Sequence, residues 1–169
     1  IQNITTNSIG LWKLDGSDLP NAIKIEFNND GIDIATGLNS INLSTIMTRE
    51  EIIDNSNNYI NVTPITSLLA SIINLKLQED NTAILTDVIS EGISIINTTL
   101  QMDNSIINLD FLENENIKAL DENVKLNTII NAISKILSIT TGTVLNSVAK
   151  TIIDASSSIF DFSNDTNIT

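Results

Sequence analysis

Apolar residues recur every three or four positions through most of the chain after residue 62. Following the pair Thr63-Pro64, one face of a helix with 3.6 residues per turn is occupied by Ile65, Leu68, Leu69, Ile72, Ile73 and Leu77. Thr63 has the side-chain oxygen that an N-cap residue needs. Pro64 suits the first helical position, because an N–H there would have no partner within the helix. The pattern predicts a long amphipathic helix that begins at Pro64.

Three more stripes of the same period predict further helices. The first spans about residues 82–98, with Gly92 as a weak point or a close-packing site, and buries Leu85, Val88, Ile89 and Ile96. A short helix at 114–120 precedes the second, for which Asp121 is the predicted N-cap and the inward residues are Leu126, Ile129, Ile130, Ile133, Ile136 and Leu137. The third follows a break at 140–142 and buries Val144, Leu145, Val148, Ala149, Ile152, Ile153 and Ile159.

A fifth, shorter helix is indicated by a local signal rather than by periodicity. Thr48 and Glu51 stand three residues apart, as the two members of a capping box do. In that arrangement each side chain accepts a hydrogen bond from the backbone of the other residue. We therefore expect a helix to begin after Thr48 and to end near residue 54.

The N-terminal part of the chain alternates with a period of two instead. Residues 22–27, AIKIEF, set three apolar side chains against Lys24 and Glu26, which is typical of a half-buried strand. The pair Asp30-Gly31 then predicts a tight turn, after which Ile32 and Ile34 would form a returning strand, and residues 8–14 would add a third.

Together these elements predict a mainly α protein with a small N-terminal β part, an α+β fold. An antiparallel bundle of about four helices, packed with a β-hairpin or meander, would bury all the apolar stripes. The expected division is residues 1–46 for the β part, 47–160 for the helical bundle and 161–169 for a linker or exchangeable strand. A chain that starts at Ile1 is expected to be an excised or processed piece.

Composition narrows the function classes. A hydrophobic share of 41% excludes general disorder, and a net charge of −13 excludes nucleic acid as a partner because phosphates would be repelled. No run of 18 apolar residues occurs, so no membrane span is predicted. The chain has neither His nor Cys and only 4% aromatic residues, which argues against an enzyme. Asn supplies 24 residues, an abundance that fits an AT-rich coding sequence and indicates no function.

The candidate metal site is an oxygen-rich cluster in the N-terminal part, made of Asn28, Asn29, Asp30 and Asp33 and joined by Asp15 and Asp18. Calcium takes six to eight oxygen ligands, which carboxylates and amide carbonyls can supply. Asn, Asp and Gly are equally the residues that tight turns require. The two interpretations, a calcium site and a plain turn, stay open, and no other cofactor is expected.

Three segments occur in an order that resembles helical modules of very large secreted bacterial proteins, including calcium-dependent repeat adhesins and related biofilm proteins. They are GIDIATG at 31–37, VTPITSLLA at 62–70 and INLDFLENENIKALDENV at 107–124. This chain has Asp30-Gly31 where such modules often have paired glycines. The resemblance implies an extracellular or cell-surface location and a non-catalytic spacer or adhesive role.

Three hypotheses follow. The chain is a structural module that spaces or stiffens a larger surface assembly, with neighbouring modules of the same protein as partners. Alternatively it is a self-assembling filament subunit, in which a terminal segment adds as a strand to the sheet of an identical copy. In the third hypothesis it is a calcium-responsive domain that binds a host or matrix ligand.

Overall fold

The computed structural model describes residues 19–27, 41–54, 60–102 and 117–155. In these ranges the chain forms two strands and five helices. They are β1 (Ala22–Phe27), β2 (Leu43–Thr48), α1 (Arg49–Asp54), α2 (Pro64–Glu79), α3 (Leu85–Leu100), α4 (Ile117–Leu137) and α5 (Thr141–Asp154). The predicted fold class, mainly α with a small N-terminal β part, is confirmed.

The sheet consists of β1 and β2 in antiparallel pairing, in a register that runs from Ala22 opposite Thr48 to Phe27 opposite Leu43. The strand at 22–27 was predicted, whereas β2 was not. The predicted turn and returning strand at 30–34, and the third strand at 8–14, lie outside the described residues. The β structure extends to Thr48, two residues past the expected boundary at residue 46.

The centre of the molecule is α2, which packs against β2, α3, α4 and α5. It begins at Pro64, with Thr63 as its N-cap, as predicted. Five of the six apolar residues of its predicted inward face are fully buried: Ile65, Leu68, Leu69, Ile72 and Ile73. The sixth, Leu77, is partly buried and lies against the same core.

Helix α3 crosses α2 closely at Gly92, which is buried. A Cβ atom added there would lie 2.7 Å from Cδ1 of Leu69, closer than real Cβ contacts allow. Of the two roles expected for this glycine, close packing is therefore the one observed. Val88, Ile89 and Ile96 are buried, as predicted for this helix.

Helix α4 differs from the prediction at both ends. Asp121 is not its N-cap, because a single helix begins at Ile117 and Asp121 lies inside it, 2.7 Å from Nζ of Lys125 one turn later. An Asp before an apolar stripe is compatible with either role. At the other end, Ile136 and Leu137 are 79% and 59% exposed rather than inward.

The inward face of α4 is partly polar. Ala119, Leu126 and Ile130 are fully buried, and three asparagines at intervals of four residues, Asn123, Asn127 and Asn131, are buried with them. Helix α5 follows after a turn and buries Val144, Leu145, Ala149 and Ile152, all of them predicted. Ile159, the last residue of the predicted stripe, lies outside the described residues.

Candidate functional site

The predicted calcium cluster lies outside the described part of the chain. This applies to all six of its residues, Asn28, Asn29, Asp30, Asp33, Asp15 and Asp18. Within the described ranges, no group of three or more His, Cys, Asp or Glu residues is arranged to hold a metal ion. The calcium site therefore stays a prediction.

The described residues bring together a different polar arrangement at the start of α2. It consists of Ser44 from β2, Thr63, Thr66 and Ser67 from the first turn of α2, and Asn123 from α4. We call these five residues the α2 junction. It contains the predicted capping residue Thr63, which directly precedes Pro64, and it lies where β2, α2 and α4 meet.

The first part of the junction is a reciprocal cap. The N–H of Thr66 donates to Oγ1 of Thr63 at 3.2 Å, and the N–H of Thr63 donates to Oγ1 of Thr66 at 2.8 Å. Thr66 therefore does what Glu or Gln usually does in a capping box. Glu51 and Thr48 form the same kind of pair at the start of α1, with the N–H of Thr48 donating to Oε2 of Glu51 at 2.7 Å.

The second part connects α2 to the sheet. The N–H of Ser44 donates to Oγ of Ser67 at 2.8 Å. The carbonyl oxygen of Ser44 lies 3.1 Å from Oγ1 of Thr66, within reach of its hydroxyl hydrogen, which the carbonyl of Thr63 at 3.0 Å also competes for. The hydroxyl of Ser67 lies closer to the carbonyl of Thr63, at 2.7 Å, than to that of Ser44, at 3.2 Å. Both backbone groups of Ser44 thus lie within hydrogen-bond reach of side chains of α2, which fixes β2 against the helix start.

The third part connects α2 to α4. Oδ1 of Asn123 accepts from the N–H of Ile65 at 2.9 Å, and Nδ2 of Asn123 donates to the carbonyl of Ala119 at 2.9 Å. The N–H of Ile65 is among the first four of α2, which have no acceptor within the helix. A side chain 58 residues away in sequence supplies that acceptor.

Sequence analysis identified Thr63 but missed the roles of Ser44, Ser67 and Asn123. Local patterns carry no signal for a hydroxyl that binds a strand more than twenty residues earlier. The asparagines of α4 did leave a signal: Asn123 falls four residues after Ala119, in phase with the buried face.

Four lysines of the described residues form ion pairs with carboxylates at or near the surface: Lys24, Lys76, Lys125 and Lys150. The shortest are Lys24 with Glu26 at 2.6 Å, Lys125 with Asp121 at 2.7 Å and Lys76 with Glu91 at 2.8 Å. Exposed pairs of this kind contribute about 0–1 kcal/mol each. Their arrangement describes a solvated acidic surface in which lysines are accompanied by carboxylates.

The pKa values of Asp80 and Lys125 are both shifted away from neutral pH. Hydrogen bonds from the side chain and the backbone of Thr82 lower the pKa of Asp80. A hydrogen bond to Asp121 raises the pKa of Lys125, which outweighs the opposing effect of burial. Both groups stay charged around pH 7, whereas a general acid or base needs a pKa close to the working pH.

Side chains bind the outer edge of β2 at two residues. At Ser44 the backbone groups bind α2, and at Thr48 the N–H binds Glu51. These contacts show that the backbone groups of Ser44 point away from β1. In an antiparallel pair, a residue whose N–H and C=O point away from the neighbouring strand belongs to a non-hydrogen-bonded pair. Glu26 and Ser44 face each other as such a pair.

The direction of the backbone groups along the outer edge of β1 follows from the alternation of pair types. Because Glu26 is in a non-hydrogen-bonded pair, its N–H and C=O point away from β2, and those of Lys24 do the same. By the same alternation, the odd-numbered residues of β1 have their N–H and C=O directed towards β2. The hydrogen bond from the N–H of Arg49 to the carbonyl of Asn21, at 3.0 Å, agrees with this assignment, since Asn21 is the next odd-numbered residue. In the part of the chain that the structure describes, no strand pairs with this edge.

No single helix in the described ranges is long and apolar enough to span a membrane. Helices α4 and α5 reach that length and composition only together, and they meet at a bend of 117°.

Comparison of the chain with protein-family models, with curated proteins and with solved structures found no match.

Proposed function

We propose that this chain is a non-catalytic structural or adhesive module of an extracellular bacterial surface protein, and that it spaces or stiffens a larger assembly. The observation that carries the proposal is the α2 junction. Residues 62–70, which resemble the helix start of surface-adhesin modules, supply the polar groups that join β2, α2 and α4. In such a module, the residues that carry the resemblance hold the sheet and the helices together.

The junction supports a stiff unit for an energetic reason. Separating β2 from α2 would leave the N–H and C=O of Ser44 without their partners, and separating α4 would do the same to the N–H of Ile65. Water replaces these partners once the elements separate, so each lost hydrogen bond costs a net of about 0.5–1.5 kcal/mol. Hinge motion between the sheet and the helices is opposed by these costs as well as by the loss of apolar contact.

The surface charge supports spacing between modules. A net charge of −13 makes two copies repel each other when they approach. At physiological ionic strength this repulsion reaches only about 8 Å, so it acts between surfaces that are almost in contact. Neighbouring modules in one chain would be kept apart without any loss of solubility.

Location is tested with an antibody raised against the purified chain and applied to the bacterium that encodes it. We expect labelling of intact cells and removal of the label by protease added outside the cells. An antibody to a cytoplasmic protein is the control for lysis. Labelling that requires permeabilised cells would overturn the proposal.

Stiffness is tested by stretching a tandem array of identical copies in a single-molecule force experiment. We expect one cooperative unfolding event per copy, at a lower force in the Thr66→Val variant because the junction is weakened. Ser90→Ala is the matched control, since Ser90 donates only to Thr86 within α3 on the exposed side. Gradual extension without distinct events would contradict a stiffening role.

The same array decides the calcium prediction. If Asp30 and Asp33 bind calcium, a chelator lowers the unfolding force of the unmodified chain and has no effect on the Asp30→Ala/Asp33→Ala variant. Equal forces with calcium and with chelator would leave these residues as a plain turn.

A further inference from the structure

From the outer edge of β1 we infer that two copies of this chain pair through β1, antiparallel and in a single register, so that the two sheets join into one. This inference does not rest on the proposed function, because it is argued from the edge of β1 and not from the α2 junction. It is carried by the direction of the backbone groups of β1 and by the charges along the strand.

The edge is accessible in the described part of the molecule. The helices that contact the sheet, α1, α2 and α3, pack against β2 rather than beyond β1. The side chains of Lys24 and Glu26 are 45% and 61% exposed. Their backbone N–H and C=O groups point outward, which is the arrangement that another strand requires for pairing.

The charges select the register. When Ile25 lies opposite Ile25 of the second copy, Lys24 of each strand lies opposite Glu26 of the other, and Ile23 lies opposite Phe27. Opposite charges and apolar pairs that face each other directly stabilise an antiparallel pair. The two symmetry-related ion pairs replace the Lys24 to Glu26 contact within each strand.

The neighbouring registers are disfavoured. A shift by two residues in one direction sets Lys24 opposite Lys24, and a shift in the other direction sets Glu26 opposite Glu26, which places like charges face to face. A shift by one residue would turn the apolar side chains to the solvent face. A strand that carried lysine alone would repel its copy in each case, as edge lysines commonly do.

The net charge of −13 opposes the approach of two copies, but its reach is about 8 Å at physiological salt. At the strand edge itself the local charges sum to zero. The overall repulsion still acts at this distance, and the two ion pairs, the apolar pairs and the backbone hydrogen bonds between the strands oppose it.

The test is sedimentation equilibrium of the full chain at physiological salt over a wide concentration series. We expect the unmodified chain to form dimers. Lys24→Glu and Glu26→Lys should each weaken dimerisation about tenfold or more, because both ion pairs become repulsive. An equimolar mixture of the two variants, and the double variant Lys24→Glu/Glu26→Lys, should dimerise as the unmodified chain does.

A proline variant tests the backbone component. Since the N–H of Lys24 points away from β2, Lys24→Pro leaves the β1–β2 ladder intact and removes an outward donor. We expect a folded monomer, with folding checked by circular dichroism. A monomeric unmodified chain at all concentrations would overturn the inference. Dimers that resist both charge reversals but disappear when residues 161–169 are deleted would overturn it too, in favour of terminal strand exchange.

Discussion

Asn123 of α4 accepts the N–H of Ile65 at 2.9 Å and thereby caps α2 from a different helix. The same side chain donates to Ala119 in its own helix, so both ends of the amide are used. Capping residues normally belong to the helix they cap. Here the acceptor becomes available only after α4 has packed against α2.

Asn123→Ala should destabilise the fold by about 2 kcal/mol. The substitution leaves the N–H of Ile65 buried without an acceptor, and groups of this kind cost about 1–3 kcal/mol. The free energy of unfolding is measured by urea denaturation. Asn146→Ala, at an exposed position of α5, is the control and should change stability by less than about 0.5 kcal/mol. Equal effects of the two substitutions would contradict the capping role.

The substitution of threonine by valine should have opposite effects at two buried positions. Oγ1 of Thr45 is buried and has no hydrogen-bond partner among the described residues, so Thr45→Val should stabilise the protein by about 1 kcal/mol. Oγ1 of Thr66 bonds to Thr63 and Ser44, so Thr66→Val should destabilise it by about 1–3 kcal/mol. The midpoint of thermal unfolding is measured for both variants. Midpoints that shift in the same direction would contradict the prediction.

Gly92→Ala should destabilise the protein by about 1 kcal/mol. Alanine improves the helix propensity of α3 by about 1 kcal/mol, but the new methyl group meets Leu69, and overpacking costs about 1–3 kcal/mol. Adding Leu69→Val should recover part of the loss.

Gly142→Ala is the matched control for Gly92→Ala. Among the described residues, a Cβ at Gly142 would meet only Oγ1 of Thr140 at 3.9 Å, so this variant should be more stable than the unmodified chain. Denaturation midpoints order the three chains, and Gly92→Ala at or above the unmodified chain would show that α3 can move away from α2.

Thr82→Val should raise the pKa of Asp80 towards its ordinary value near 3.8. The hydroxyl of Thr82 donates to Oδ1 of Asp80 at 2.6 Å, and this bond is the largest cause of the lowered pKa. An NMR titration of the Asp80 carboxyl group measures it. Thr128→Val, which removes a hydroxyl bonded only to Val124 in the described residues, should leave the midpoint where it is.

The stability consequence of this pKa shift has a definite sign. An acid whose pKa is lower in the folded state stabilises the fold above its unfolded pKa, and the contribution is lost as pH falls through the folded pKa. The difference in stability between the unmodified chain and Thr82→Val should therefore be constant above about pH 5 and shrink below pH 3.8. A difference that grows on acidification would show that the hydroxyl acts in another way.

Sequence reasoning succeeded where local and tertiary preferences agree. For α2, the cap at Thr63, the proline and the apolar period all indicate one helix, and the structure buries that face against four other elements. It failed for β2, because Thr45, Ile46, Met47 and Thr48 are all buried. A strand covered on both faces loses the alternation by which strands are identified.

Asparagine was the other source of error. Its abundance suggested a compositional bias, yet Asn123, Asn127 and Asn131 occupy the inward face of α4, while Ile136 and Leu137 are exposed. A buried amide is acceptable only where partners exist, and those partners lie far away in sequence. Periodicity reports which residues are apolar, and it contains no information about acceptors and donors on another helix.

The sequence separation across the α2 junction constrains the order in which the chain can fold. The start of α2 follows residue 63, but its acceptor for Ile65 lies 58 residues later, and the strand it binds lies 23 residues earlier. A chain that emerges N-terminus first, from a ribosome or through a membrane pore, therefore cannot complete this turn until α4 has followed. A fragment that ends before residue 123 keeps the reciprocal cap of Thr63 and Thr66 but lacks the acceptor for the N–H of Ile65 at the start of its own central helix.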